Sequence, residues 1–213
     1  MNFCVIGIGR FGYHVATKLA EHGMEVLAVD SNESMINSIR DKVTHAVCMR
    51  VKDEESLRNI GVEEIDTVIV AMGENFSQSI LITALLKQKL KVKNVIARSI
   101  SMVHKDILNL IGADHVVLPE QEMGVRLADK LSLTFSSYVR ITPIFSISHL
   151  IVPHKFVGKT IAELNVQRSY GIICLGKKEG DAIAYLDDDY TIQEGDTLIL
   201  AGPNKKLEKI ARL

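Results

Sequence analysis

Cysteine is scarce in this 213-residue chain, and its three cysteines, Cys4, Cys48 and Cys174, stand far apart with no C-x-x-C pair. That spacing argues against a disulfide framework or a thiolate zinc site and suits a reducing compartment. Each lies in an apolar run and reads as a small core residue. An excess of either charge is missing too: 25 Lys and Arg stand against 26 Asp and Glu, a formal net charge of −1. A duplex partner demands a concentrated basic surface, so no nucleic acid is expected. Long apolar runs are also lacking. The longest, Ile80 to Leu86, is interrupted by Thr83 and flanked by Gln78 and Lys87, far short of the roughly 20 residues of a membrane span. No basic stretch followed by an apolar one comes after Met1, so no secretory leader is expected and the chain reads as soluble.

What is present is enough apolar residue, 47% against 24% charged, to bury an ordinary core. The length suits a body of roughly 130 residues with a small second lobe. Short runs of Val, Ile and Leu recur at Phe3–Gly7, Glu25–Asp30, His45–Cys48, Thr67–Met72, Asn94–Ala97 and His115–Leu118. They have the character of parallel strands covered on both faces. Between them the spacing is helical, as in Phe11, Val15, Leu19 and in Ile80, Leu81, Ala84, Leu85. Gly23 and Gly61 suit left-handed C-terminal caps, and Asp30-Ser31-Asn32 and Asp53 offer N-caps. Such alternation predicts right-handed crossovers and a Rossmann-like doubly wound parallel sheet.

The pattern changes after Pro119. Glu120 to Ser136 reads as a helix with Met123, Leu127, Leu131 and Phe135 on one face. Strand candidates follow at Ile144–Val152, Gly171–Gly176, Ala182–Tyr185 and Thr197–Ala201, with turns at 177–181 and 194–196, and a helix from Asn204 to Arg212. The chain is therefore expected to hold a Rossmann-type domain over 1–136 and a small α+β domain over 137–213.

Chemistry concentrates in Gly7-Ile8-Gly9-Arg10-Phe11-Gly12, a G-x-G-x-x-G between the first strand and first helix. Its glycines permit a tight turn, close approach of backbone to phosphate, and close helix–strand packing. The helix start adds unpaired N–H groups and partial positive charge. Asp30 ends the second strand, where a carboxylate can accept both ribose hydroxyls and would repel a 2′-phosphate, disfavouring NADP. Capping of the next helix is the plainer reading of Asp30. Ala71-Met72-Gly73 ends the fourth strand beside the expected switch point. Arg10 can reach a terminal phosphate with two hydrogen bonds, or stand solvated on the first turn.

These residues, with Val29-Asp30, Thr44-His45-Ala46-Val47, Val70-Ala71-Met72-Gly73, Ile111-Gly112-Ala113-Asp114, Pro119-Glu120-Gln121-Glu122-Met123-Gly124, Gly158-Lys159-Thr160-Ile161-Ala162-Glu163-Leu164 and Glu194-Gly195-Asp196-Thr197-Leu198, resemble the regulator-of-potassium-conductance family (RCK, or KTN). That family supplies cytosolic gating subunits of Trk and Ktr potassium transporters, and the Ktr type is the closer likeness. The resemblance implies dimers assembled into an octameric ring, peripheral on the inner face of the membrane through a potassium-translocating subunit. It implies ATP or ADP, and in some members NAD(H), in the cleft. By position Arg10 would meet the triphosphate end, Asp30, Ser31 and Asn32 the ribose, and Arg50 and Val51 the adenine. Met72, Gly73, Glu74, Arg98, Ser99, Ile100 and His104 would complete the cleft. Glu120 would approach the phosphates or a divalent cation, Mg2+ or Ca2+, at the dimer interface; the plainer reading is a first-turn carboxylate favouring its helix dipole. His104 reads more simply as an exposed histidine at a helix start.

One departure stands out. The family has a small-acidic-small-hydroxyl run after the third strand, where this chain has Met49-Arg50-Val51-Lys52. Arg50 can only donate, so it cannot accept from the adenine amino group. Cyclic di-AMP, bound by the second domain in some relatives, would fall near Asn165, Arg168 and Ile172. The competing reading is a small NAD-dependent oxidoreductase, which needs a positioned acid or base and a substrate pocket. His149 and His154 in a slight second lobe are poor material for it, so the chain is read as a regulator and not an enzyme.

Overall fold

The computed structural model describes residues 2–73, 75–132 and 137–212, except for the side chains of residues 130, 132 and 137. The chain divides into two compact units, Met1–Glu122 and Met123–Leu213. That division falls inside the helix that the sequence reading assigned whole to its first domain.

The first unit is built on six parallel strands: β1 (Asn2–Ile6), β2 (Glu25–Asp30), β3 (His45–Cys48), β4 (Thr67–Val70), β5 (Asn94–Arg98) and β6 (His115–Val117). Their order is β3-β2-β1-β4-β5-β6, the doubly wound arrangement with its switch point between β1 and β4. Alternate residues of β1 go to opposite faces, as strand geometry requires. Cys4 and Ile6 join a core with Val68, Val70, Ile82, Leu86 and Leu108. Val5 joins another with Val26, Ala28, Ile36, Ile39 and Ile69. Burial of each Val, Leu or Ile among them contributes about 1.5–3 kcal/mol.

Helices α1 (Arg10–Glu21), α2 (Glu33–Ile39), α3 (Glu54–Asn59), α4 (Phe76–Ala84), α5 (Met102–Leu110) and α6 (Pro119–Ser132) fill the crossovers and follow β6. Their starts obey capping chemistry. Asn32 accepts from Ser34 N, Asp53 and Ser56 form a capping box, and Ser101 accepts from His104 N. Gly23 and Gly61 take positive φ, at 78° and 70°, as left-handed caps. The last turn of α4 widens into a π-helical segment over Leu85–Lys89.

The second unit holds an antiparallel sheet ordered β10-β9-β11-β8-β7, from β7 (Ser137–Thr142), β8 (Phe145–Ile151), β9 (Ile173–Glu179), β10 (Ala182–Ala184) and β11 (Thr197–Pro203). Helices α7 (Ile161–Leu164), α8 (Val166–Tyr170) and α9 (Asn204–Ala211) complete it. Leu150, Phe156, Ile172, Leu198, Leu200 and Leu207 form its core. Strand β7 is a correction: the sequence reading names no strand before Ile144 in this unit. As an edge strand with a register shift between Arg140 and Thr142, and with Val139 and Ile141 exposed, it lacks the usual alternation. The turn at 177–181 joins β9 to β10 as a hairpin, but that at 194–196 enters β11 from an irregular segment. Among the described residues no helix is long and apolar enough to cross a membrane.

Candidate functional site

The sheet brings the predicted residues to the carboxyl ends of β1, β2 and β4. Gly7 N donates to Val29 O at 2.8 Å, Ala71 N to Ile6 O at 2.8 Å, and Met49 N to Asp30 O at 2.8 Å. Gly7 (φ 96°) and Ala71 thus leave adjacent strands side by side. A side chain on Gly12 would collide with the carbonyl of Gly7, so the third glycine lets α1 pack on the loop. At Gly9 a Cβ would have no neighbour within 4 Å. Gly9 is the N-cap of α1 and provides no side-chain cap, and no acidic residue occupies the first turn. The donors at this helix start are therefore open to an anion. A phosphate fits there, and it fits because Gly9 leaves the approach clear.

Asp30 holds the glycine loop. Its Oδ2 accepts from Ile8 N at 2.6 Å and its Oδ1 from Asn32 N at 2.8 Å. Each carboxylate oxygen has a second lone pair, so ribose hydroxyls can still be accepted. Sequence reasoning weighed ribose binding against capping of α2; the cap of that helix is Asn32. Ser31 and Asn32 are exposed beside it, and Arg10 is exposed on the first turn of α1.

Arg98, at the end of β5, draws the far side together. Its Nη2 donates to Glu120 Oε1 at 2.6 Å, and its Cζ lies 5.9 Å from the centroid of the Phe11 ring. A side chain on Gly73 would run into its guanidinium. The Glu120 carboxyl is held below the ordinary range by its own backbone N–H and by Arg98. Met72 packs against Gly7, while Glu74 lies outside the described residues.

The remaining predicted residues differ in exposure and partners. Val51 is buried in the core, and its carbonyl accepts from Gln78 Nε2 at 3.0 Å, while Arg50 is exposed. Ser99 is buried, with its hydroxyl donating to Ser101 O at 2.6 Å; Ile100 is exposed. His104 is not exposed, as its place at a helix start suggested. It is 0% exposed, packed at 4.5 Å between ring centroids on Phe76, with Nδ1 accepting from Ile100 N at 3.4 Å and Nε2 unpartnered. Burial pushes its pKa down. Sequence reasoning missed Gln78, whose signal was its place three residues after the N-cap Asn75. Among the described residues no three His, Cys, Asp or Glu side chains cluster as a metal site. A cation beside Glu120 would depend on phosphate and water for most of its ligands.

In the second unit Asn165 caps α8 by accepting from Arg168 N at 3.3 Å, and Ile172 is core. Arg168, Tyr170, Gly171, Lys206 and Lys209 border an open recess of about 360 Å³.

Comparison with known proteins fits both units. The TrkA-N domain family matches residues 3–119 and the TrkA-C domain family residues 149–213. The chain belongs to the RCK/KTN family, TrkA-N plus TrkA-C. Among RCK/KTN relatives, the Ktr system potassium uptake protein A of Bacillus subtilis is 36% identical over 210 residues, which cover 98% of this chain and 94% of that one. Ktr system potassium uptake protein C of the same organism is 35% identical, over 94% of this chain and 91% of its own. A structure of a GsuK channel bound to NAD superposes on the whole chain with a TM-score of 0.67 at 20% identity, a likeness of fold. This chain spans 39% of that channel chain. GsuK bound to ADP matches 61% of this chain and 33% of its own at a TM-score of 0.54 and 25% identity.

Proposed function

We propose that this RCK/KTN protein is the nucleotide-sensing regulatory subunit of a Ktr-type potassium uptake system. The observation that carries the reading is the start of α1, uncapped and unobstructed at Gly9, with Asp30 beside it. That arrangement suits the phosphates and ribose of ADP, ATP or NAD(H), and the relatives named for potassium uptake supply the client. Regulation requires only that the nucleotide bind two conformations with different affinity, so no proton donor or acceptor is called for. Arg10 supplies such a difference by meeting a third phosphate that ADP lacks. Mg2+ or Ca2+ would join the phosphates near Glu120.

The exposed apolar residues Met123, Leu127 and Leu131 on α6 support assembly through that helix into dimers and an octameric ring. A cyclic dinucleotide such as cyclic di-AMP in the second unit has the basic recess at Arg168, Lys206 and Lys209 in its favour. Liposomes carrying the potassium-translocating subunit test the main reading. Adding this chain should make potassium flux differ several-fold between ATP and ADP. Flux indifferent to nucleotide would contradict it.

A further inference from the structure

Arg98 joins three segments at the cleft: the first turn of α1 through Phe11, the loop after β4 through Gly73, and the first turn of α6 through Glu120. Its side chain is 20% exposed, whereas that of Glu120 is 64% exposed. The guanidinium is only half used. Nη2 binds Glu120, but Nε, on the same edge of the planar group, is buried without a partner. That edge is a two-position fork suited to two oxygens of one anion, and a single carboxylate oxygen occupies it.

We propose that Arg98 is an exchange residue: a nucleotide phosphate takes its guanidinium from Glu120, and release of Glu120 loosens the first turn of α6. The inference rests on the nucleotide reading above. A phosphate offers more charge than a carboxylate and enough oxygens to fill both positions of the fork. The carboxylate and the phosphate cannot share the fork without repulsion, so occupancy by one disfavours the other. Glu120 is well placed to report the exchange, because α6 carries residues on both sides of the division between the units. The first turn already holds a reporter, the Glu122 N–H bonded to Leu118 O at 3.1 Å.

The experiment pairs calorimetry with amide hydrogen exchange on the full chain, with ADP in EDTA so that no divalent cation bridges the two anions. In the wild type, ADP should speed exchange in the first turn of α6. Glu120→Gln should show that turn already fast and unresponsive, and should bind ADP about two- to fivefold more tightly, the range for a partly exposed charge pair. Arg98→Lys, which keeps the charge but not the fork, should weaken ADP and leave the turn closed. If ADP binds the wild type while exchange in α6 is unchanged or slowed, or if Glu120→Gln binds more weakly, the exchange role is overturned and the nucleotide reading stands. Absence of any ADP binding by the wild type removes both.

Discussion

A methyl group on Gly9 would meet nothing within 4 Å, while one on Gly12 would be driven into the carbonyl of Gly7. The two glycines of one motif therefore predict opposite phenotypes. Gly12→Ala should cost about 1–3 kcal/mol through overpacking between α1 and the loop. Gly9→Ala should cost less, about 0.5–1 kcal/mol as a poorer N-cap, but should weaken ADP at least tenfold by standing where phosphate approaches. Denaturant unfolding and calorimetry on both variants check the pair; an ADP affinity untouched in Gly9→Ala would refute the phosphate placement. Arg10→Ala should weaken ATP more than ADP, and equal losses would show that Arg10 does not read the third phosphate. The motif was legible because glycine spacing reports directly on backbone demands. The second role of Asp30, holding Ile8 N, was not, because that bond depends on which loop the strand order sets beside it.

At the scale of elements, α5 carries the buried His104 with its Nε2 unpartnered. Burial lowers its pKa from the ordinary 6.5. Below pH 6.5 the unfolded chain takes up a proton that folded His104 refuses, so the unfolded state binds more protons. Stability is then full above that pH and is lost as pH falls through the folded value. His104→Phe should flatten the pH dependence of the unfolding midpoint in that window; an unchanged slope would contradict the account. The burial was readable, since His104 shares a helix face with buried Leu108 at i+4, but its place at the helix start suggested exposure. The parallel strands were easy to read for a related reason. Thr67–Val70 is buried at every position, and Val68, Ile69 and Val70 form an unbroken apolar run. Edge strand β7, with Val139 and Ile141 exposed on either side of Arg140, offers no such pattern.

For the molecule as a whole, family membership follows from matches in both units, and the glycine motif alone would not have given it. Length, charge balance and scattered cysteines excluded classes of function without choosing one. The choice came from motifs in both units, and in the second these include the Thr160–Glu163 capping box and the 194–196 turn. The proposed function rests on a cleft at Gly9 and Asp30 that would bind an adenine nucleotide and leave it intact. Calorimetry of the purified chain with ADP, followed by recovery of the ligand, tests this most directly. Saturable binding with one site per chain, and ADP returned unchanged, is the expected result. No heat of binding, or an altered nucleotide, would contradict it.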